Sequence, residues 1–448
     1  MARDVDRSVL ARSRKLMGMA AKVARHEVAQ QVSARVSRSA ERLGAQSLAR
    51  RVEQARIVTE SLSQLRGAAM KAGQFLSIDA GDLLPPEAAE MLAKLQDDGQ
   101  SVPFETVEQV LREELGEAGL ARLTDLSPEA AAAASIGQVH RARVDGRPVA
   151  VKVQFPGVKA SIPSDLAVLQ KLASSWLSLA GRRIVLADVF EELQRILELE
   201  ADYRHEAACL HEYRRHLAED ARFALPEPID ALSGERVLTM TWLDGQPFGR
   251  WMGQGPSLEA REGVARALLD LYCQEFFEWG FVQTDPNPGN FMILDDGRVG
   301  LLDFGATVRY DHAFRRQYVE LLRAMGRGRR EELIETGIDF GLLDRREGAE
   351  AREAFVEMMQ AAAHPFSPSV QPFEFQDPDY QRQARAIVFR FAGALRHTPP
   401  PRRLLFLHRK LGGLFNILKR LDVRLDMEPY WARMVGEARP SGISAIAS

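Results

Sequence analysis

The sequence predicts an α+β fold that is mostly helical, with a few short strands among longer helical segments. Two tight-turn signatures carry the strand prediction. Asp145-Gly146 stands between two apolar runs, and Asp295-Asp296-Gly297 separates the runs 291–294 and 299–302. Such turns between apolar runs are typical of β-hairpins. Elsewhere, apolar residues recur at helical intervals over longer stretches, which predicts amphipathic helices around the two hairpins.

The second hairpin lies between side chains that are typical of phosphoryl transfer. Asp285 and Asn290 form a D-x-x-x-x-N pattern before it, and Asp303 opens a D-F-G tripeptide after it. In kinases, a loop carboxylate faces the attacking group, while an amide and a second carboxylate hold divalent metal against the phosphates. The alternative is an Asx-rich loop that feeds an ordinary hairpin. The combined spacing favours a protein-kinase-like, two-lobed fold.

Composition and charge are those of an ordinary globular protein. The chain has 448 residues, 46% hydrophobic and 27% charged, with a formal net charge of -3. This balance does not indicate a nucleic-acid partner, and two cysteines without metal-ligand spacing fit a reducing compartment. No stretch approaches the ~18 apolar residues of a membrane span, and the N-terminus lacks the apolar segment of a secretory signal. We therefore expect a cytoplasmic protein.

Residues 1–124 are predicted to form an N-terminal helical extension. Its first 60 residues carry thirteen Lys or Arg against six Asp or Glu. A basic amphipathic helix of this kind can lie on an anionic membrane or dock on a partner, and the alternative is a solvated helix packed on its own core. Further along, Lys71 and Gln74 lie about one helical turn apart and share a face. Taken alone, they are equally compatible with an exposed helix surface.

Residues 125–241 are predicted to form a small lobe with a helical insertion. An alanine-rich loop at 130–137 occupies the place of a glycine-rich phosphate loop, and it should be stiffer because alanine disfavours positive φ. Lys152 follows in the strand V-A-V-K-V, from which it can reach nucleotide phosphates. Glu206, on a later helix, is its predicted acidic partner. We expect the following residues to line the nucleotide site: Ala133, Ala134, Ser135, Ile136, Gly137, Val139, Ala150, Met240, Thr241, Trp242 and Leu243.

Residues 242–345 are predicted to form the large lobe, and 346–448 its additional C-terminal helices. After Gly305 the chain runs quickly into a helix, and the A-P-E motif of protein kinases is missing. Protein kinases use the longer segment to hold a peptide, so its absence argues against protein phosphorylation. The stretch 398–425 combines an apolar stripe with many cations, which favours a core helix over an interfacial one.

Several motifs together identify a family. They are M-K-A-G-Q at 70–74, A-A-A-S-I-G-Q-V-H at 132–140, V-A-V-K-V-Q-F-P-G-V at 149–158, E-A-D-Y-R-H-E-A-A at 200–208, Q-T-D-P-N-P-G-N-F at 283–291 and L-D-F-G at 302–305. With these motifs the chain resembles the UbiB / AarF-domain atypical kinase-like family over residues 55–425. Many relatives read H-A-D-P-H-P-G-N at the loop, whereas this chain has the variant of the ubiquinone-biosynthesis branch.

The resemblance implies specific roles for the motif residues. Lys71 and Gln74, in an element that covers the place of a peptide substrate, would reach over the nucleotide, with Glu200 as the partner of Lys71. Glu200 and Asp202 form an E-x-D pair that we assign to regulation together with Lys71 and Gln74. Lys152 would pair with Glu206. Asn290 and Asp303 would bind Mg²⁺, and Asp285 would take the catalytic position.

The family also implies what such a site would do. It implies binding of ATP or ADP with Mg²⁺ and slow ATPase or small-molecule kinase activity, stimulated by membranes and phenolic quinone-like compounds. The expected role is support of isoprenoid quinone biosynthesis, with a quinone-like or prenyl-lipid small molecule as ligand and peripheral contact with an anionic membrane at its inner face. Two alternatives remain open: a true protein kinase and a non-catalytic, nucleotide-sensing scaffold of a biosynthetic complex.

Overall fold

The computed structural model describes residues 102–134, 136–179, 187–398 and 402–436. The chain divides into two compact units. The first unit contains the described chain up to His211 together with the segment Glu227–Trp242. The second unit contains Glu212–Pro226 and the described chain from Leu243 onwards. Three residues predicted to belong to the site, Lys71, Gln74 and Ser135, lie outside the described residues. The four-part division predicted above stays a prediction.

The described residues form long helices and short strands, and more of these residues are helical than extended. The strands are β1 Ala132–Ala134, β2 Gly137–Val144, β3 Arg147–Gln154, β4 Phe223–Ala224, β5 Val237–Thr241, β6 Gln246–Pro247, β7 Phe281–Gln283, β8 Phe291–Ile293, β9 Val299–Leu301, β10 Thr307–Arg309, β11 Phe373–Glu374 and β12 Arg424–Leu425. The α-helices are α1 Phe104–Leu120, α2 Val158–Leu179, α3 Ala187–Glu200, α4 Tyr203–His216, α5 Phe248–Gly253, α6 Leu258–Cys273, α7 His312–Arg327, α8 Arg330–Asp339, α9 Ala349–Ala363, α10 Pro378–Ala394, α11 Arg402–Leu421 and α12 Glu428–Val435.

The first unit is built on an antiparallel sheet of order β1-β2-β3-β5. The predicted hairpin joins β2 to β3, and Asp145 and Gly146 both have positive φ, at 50° and 77°. Helix α1 packs on one face of this sheet, where the alternate residues Val149, Val151 and Val153 of β3 are buried in a common core with it. Since side chains alternate along a strand, Lys152 points to the opposite face.

Between β3 and α4 lie α2 and α3, which form the predicted helical insertion. The pattern of the stretch 227–245 predicts two strands joined through Ser233-Gly234, and the structure contains only the second of them, β5. A 3₁₀ turn, Asp230–Leu232, replaces most of the first strand, and a single bridge joins Pro228 to Met240. The turn is held by side chains, because the Thr239 hydroxyl donates to the Leu232 carbonyl at 2.6 Å.

The second unit contains the other predicted hairpin. Strands β8 and β9 pair antiparallel around Gly297, whose φ is 84°, within a sheet of order β4-β9-β8-β6. A separate pair, β7 with β10, brings Gln283 opposite Thr307. The Leu302 amide donates to the Asn290 carbonyl at 3.1 Å. The loop before the hairpin and the D-F-G stretch after it are therefore held together by backbone hydrogen bonds.

Helix α6 leads into the loop before the hairpin. Ser257 stands directly before a predicted helical segment, a position that predicts a cap, and its hydroxyl accepts from the Ala260 amide at 3.2 Å. The helix continues into a π-helical turn, Gln274–Trp279, and stops at Gly280, where φ is 65°. A Cβ there would lie 2.5 Å from the Tyr310 carbonyl oxygen, so only glycine fits. Among the described residues, no helix combines the length and apolar character needed to span a membrane.

Candidate functional site

Lys152 and Glu206 form a buried ion pair in the first unit. The Lys152 ammonium donates to Glu206 Oε1 at 2.9 Å and to Oε2 at 2.8 Å. Their side chains are only 8% and 1% exposed. The predicted pairing is present, and the two charges compensate each other away from water, where a single charge would be costly.

Helix α4 sets the position of Glu206. Asp202 caps its N-terminus by accepting from the Arg204 amide at 3.1 Å. Glu206 lies in the first turn, where the helix dipole favours a negative charge. The ring of Tyr203 lies against the pair, with its centroid 5.0 Å from the Lys152 ammonium. Glu200, at the end of α3, is buried, and Asp202 is half-buried.

Gly137 is required by packing. A Cβ at this position would lie 2.3 Å from the Val153 carbonyl oxygen and 2.7 Å from the Tyr203 hydroxyl. The single glycine of the alanine-rich loop therefore lets β2 approach β3 and α4 closely. Beside it, β1 is mostly exposed, with Ala133 opposite Gln138, while Ile136 is buried.

The remaining predicted nucleotide contacts lie on the same sheet or at its end. Val139 is opposite Lys152, and Ala150 is opposite Met240. The Thr241 amide donates to the Glu227 carbonyl at 2.9 Å and the Trp242 amide to the Pro148 carbonyl at 3.1 Å. These two amides are thus already used within the protein, and they are poor candidates for donors to an adenine ring.

In the second unit, Asp285 and Asn290 contact each other directly. The Asn290 amide donates to Asp285 Oδ2 at 3.2 Å and to the Asp285 carbonyl at 3.1 Å. The side-chain amide of Gln283 donates to the same carbonyl at 2.9 Å. On its other oxygen, Oδ1, Asp285 accepts from the Arg409 guanidinium at 2.9 Å. The loop carboxylate is therefore held in a defined orientation.

Asp303 and Asn290 line one small cavity of about 10 Å³. Asp303 Oδ1 accepts from the Gly305 amide at 3.0 Å. The cavity also touches Gln283, Tyr213, Glu275 and Lys410. A space of this size and polarity holds about one water molecule.

The donor set fits Mg²⁺ that arrives with a nucleotide. No group of three or more His, Cys, Asp or Glu within the described ranges could hold a metal alone. Mg²⁺ in phosphoryl-transfer sites is usually held by one or two carboxylates together with substrate phosphates and water. The Asn290 side-chain nitrogen is used by Asp285, so the Asn290 side-chain oxygen and an Asp303 oxygen would be the protein ligands of such an ion.

Lys410 and Glu275 form another buried ion pair, and both residues line this cavity. The Lys410 ammonium is 2.9 Å from Glu275 Oε2, and the Tyr213 hydroxyl donates to Glu275 Oε1 at 2.8 Å. The backbone amide of Gln283 in turn donates to the Tyr213 hydroxyl at 2.7 Å. Burial raises the pKa of the Glu275 carboxyl, and Lys410 and Tyr213 oppose that rise. The network joins α11 to β7, the strand that precedes the loop of Asp285 and Asn290.

The sequence does not single out Arg409 and Lys410 as site residues. Both lie on α11, in the stretch predicted as a core helix, and both are buried, at 2% and 5% exposure. Two adjacent cations within an apolar stripe were the available signal, because buried cations need carboxylate partners. Their partners lie more than 120 residues earlier in the chain, and no local pattern identifies them.

Comparison with known proteins agrees with the motifs. Residues 94–337 match the model of the ABC1 atypical kinase-like domain, which is more than half of the chain. The chain belongs to the ABC1 atypical kinase-like family. Among curated relatives, it is 34% identical to the atypical kinase COQ8B, mitochondrial, of Rattus norvegicus, over 82% of this chain and 69% of the relative. It is 33% identical to COQ8B of Danio rerio, over 82% and 59%. For COQ8 of Saccharomyces cerevisiae the identity is 31%, over 81% and 72%.

The chain thus spans about 60 to 70% of the length of these relatives. Among solved structures, the complex of Rv3197 with erythromycin from Mycobacterium tuberculosis is similar, with a TM-score of 0.58 and 28% identity. The alignment covers 91% of this chain and all of that one. The predictions of family and of an α+β, kinase-like fold are confirmed.

Proposed function

We propose that this protein binds ATP with Mg²⁺ and transfers or hydrolyses the γ-phosphate, as an atypical kinase or ATPase. The observation that carries the proposal is the contact of Asn290 with Asp285 beside a cavity shared with Asp303. Kinases need this combination: a carboxylate for the attacking group, and an amide with a second carboxylate for the metal.

Each residue has a proposed role. Lys152, held by Glu206, contacts the nucleotide phosphates, and the pair keeps its charge compensated before the nucleotide arrives. Asn290 and Asp303 would hold Mg²⁺, which would neutralise the negative charge that develops on the phosphates. Lys71, Gln74, Glu200 and Asp202 keep the regulatory roles that the family resemblance implies for them.

Asp285 orients the attacking group. In hydrolysis, the water oxygen forms a bond to the γ-phosphorus while the bond from that phosphorus to the β–γ bridging oxygen breaks. The electron pair of the broken bond leaves with ADP, and a proton of the water passes to Asp285. A positioned general base of this kind contributes about 10²- to 10⁴-fold to the rate.

Water or a small hydroxyl compound is the acceptor that we favour. Strand β10 begins two residues after Gly305, and α7 begins at His312. This short connection leaves no room for the long segment on which protein kinases hold a peptide. We further propose that the physiological ligand is quinone-like or a prenyl lipid, and that the protein works at an anionic membrane surface in isoprenoid quinone biosynthesis.

Phosphate release tests the proposal. The full chain is incubated with ATP and Mg²⁺, with and without anionic liposomes and a phenol, beside an Asp285→Asn variant. We expect slow release that liposomes and phenol increase and that the variant loses by at least 100-fold. If the ATP carries a label on its γ-phosphate, transfer of the label to protein instead of its release as free phosphate would favour protein kinase activity. Binding of ATP without turnover under any of these conditions would favour the nucleotide-sensing scaffold.

A further inference from the structure

We propose that Arg409 is a positioning residue for Asp285 and that α11 is thereby part of the catalytic apparatus. This inference rests on the proposed function, because it concerns how the carboxylate that orients the attacking group is itself held. It assigns a role in the reaction to a helix that lies outside the part of the chain matching the family model, which ends at residue 337.

The Arg409–Asp285 contact is short and excluded from solvent. Arg409 Nη2 lies 2.9 Å from Asp285 Oδ1, and the two side chains are 1% and 7% exposed. Water and salt screen such a pair far less than a surface pair. A guanidinium presents a planar, rigid set of donors. It is therefore suited to fix the direction of a carboxylate as well as to balance its charge.

The carboxylate is held at both oxygens by different elements. Oδ1 accepts from Arg409 on α11, and Oδ2 accepts from Asn290 within the loop. The backbone carbonyl of Asp285 is held by Gln283 and Asn290. Rotation of the carboxylate about its axis is restrained by the partner from α11.

Helix α11 is itself anchored against this part of the unit. The neighbouring Lys410 is paired with Glu275 at 2.9 Å. One turn later, Gly413 lies so close to Pro286 that a Cβ on the glycine would be 2.0 Å from the proline Cβ. The helix backbone thus packs directly on the residue that follows Asp285. These two contacts restrain the position and rotation of α11, and they place the Arg409 guanidinium at one side of the carboxylate.

The role predicts a specific kinetic signature. Loss of Arg409 should lower kcat by about 100-fold, the size expected when a reacting group is misplaced by about 1 Å. It should leave KM for ATP within about twofold, because Arg409 contacts Asp285 and has no proposed contact with the nucleotide. Arg409→Lys keeps the charge but loses the rigid fork, so its kcat should lie between that of the wild type and that of Arg409→Gln.

The test combines these variants with Asp285→Asn in a double-mutant cycle on the full chain. If Arg409 acts through Asp285, the double variant Arg409→Gln/Asp285→Asn should be no slower than Asp285→Asn alone. Arg403→Gln is the matched control. Arg403 lies on the same helix and pairs with Asp311 at 2.7 Å, but both side chains are at least half exposed, and its kcat should equal that of the wild type. Thermal unfolding and ATP binding of every variant report whether it is folded.

The outcomes are distinct. Wild-type kcat in a folded Arg409→Gln variant would overturn the inference, as would a further large loss in the double variant. If Arg409→Gln does not fold, Arg409→Lys decides in the same way, and wild-type kcat in it overturns the inference. A wild-type chain without any turnover of ATP overturns the proposed function, and the inference with it. A wild type that turns over ATP with unaffected Arg409 variants overturns the inference alone.

Discussion

Lys152 and Glu206 lie almost entirely out of water, and this makes either one costly to lose alone. Each charge has given up its hydration and depends on its partner for compensation. The pair is formed by a strand residue and a helix residue 54 positions apart, so it also ties α4 to β3. Its structural contribution should therefore be measurable without any nucleotide.

We predict that Lys152→Met lowers the free energy of unfolding by about 3 to 5 kcal/mol, because it leaves Glu206 buried without the Lys152 charge. Chemical denaturation measures the change. Lys159→Met is the control, since Lys159 pairs with Glu235 while its side chain is 45% exposed. This surface pair should contribute about 1 kcal/mol or less. Equal losses in the two variants would contradict the importance given to burial.

Glu347 is another buried carboxylate, and backbone groups hold it. It accepts from the amides of Arg396, His397 and Thr398 at 3.0, 2.7 and 2.9 Å, and from the Thr398 hydroxyl at 2.9 Å. Burial alone would raise the pKa of this carboxyl, but these hydrogen bonds outweigh burial and hold the pKa below its ordinary value of 4.5. The ionised form therefore stabilises the fold.

The lowered pKa gives a pH-dependent prediction. The stability that Glu347 contributes is fully present above pH 4.5 and is lost as the pH falls through the folded-state pKa. Glu347→Gln should cost about 2 kcal/mol at pH 7 and progressively less on acidification. Denaturant unfolding at several pH values measures this. Glu350→Gln, three residues away and exposed, should change stability by less than about 0.5 kcal/mol at any of them. A cost for Glu347→Gln that does not depend on pH would contradict the assignment.

At the scale of elements, α11 connects a distant part of the chain to the loop of the candidate site. It carries Arg409 and Lys410, and it brings the backbone of Gly413 against Pro286. Two adjacent glycines in this helix differ in their surroundings. Gly413 has no room for a side chain, whereas a Cβ on Gly412 would meet nothing within 4 Å.

These neighbours form a matched pair of variants. Gly413→Ala should displace the loop that holds Asp285, lowering both the melting temperature and the rate of phosphate release. Gly412→Ala should leave the rate unchanged and raise the free energy of unfolding by up to about 1 kcal/mol, since alanine favours a helix over glycine. Differential scanning fluorimetry and the phosphate assay measure both effects. An active, stable Gly413→Ala variant would show that the contact with Pro286 is not important.

The elements that the sequence predicts well are those specified by neighbouring residues. The hairpin turns at Asp145 and Gly297 and the cap at Ser257 depend on a few adjacent positions. Lys152 and Glu206 are distant, yet a buried strand lysine requires an acidic partner, and the family motifs restrict the choice. Arg409 is different. Its partner is 124 residues away, and nothing in the helix sequence identifies Asp285 as that partner.

Other differences arise from contacts that act over intermediate distances. The 3₁₀ turn that replaces a predicted strand near Asp230 depends on the Thr239 hydroxyl seven residues beyond Leu232. The π-helical turn after α6 places Glu275 towards Lys410, a partner from α11. Propensity and periodicity describe a segment on its own, and both features are set by side chains from outside the segment.

In the molecule as a whole, the candidate site includes residues that lie beyond the end of the matched family domain. The match ends at residue 337, whereas Arg409 and Lys410 lie in α11, which spans Arg402–Leu421. The second unit includes that helix. The C-terminal helix α11 therefore takes part in the proposed activity, and activity measurements need the full chain.

The proposed activity requires the full chain to bind ATP together with Mg²⁺ through Asp303. Calorimetric titration with ATP, in the presence and absence of Mg²⁺, tests it most directly in the wild type and in Asp303→Asn. Asp296→Asn is the control, because Asp296 lies in the exposed turn of the same hairpin and asparagine also suits that turn. We predict that Mg²⁺ strengthens ATP binding in the wild type and in Asp296→Asn, and that Asp303→Asn loses this dependence. ATP binding that ignores Mg²⁺ in the wild type, or that keeps its full dependence in Asp303→Asn, would contradict the claim.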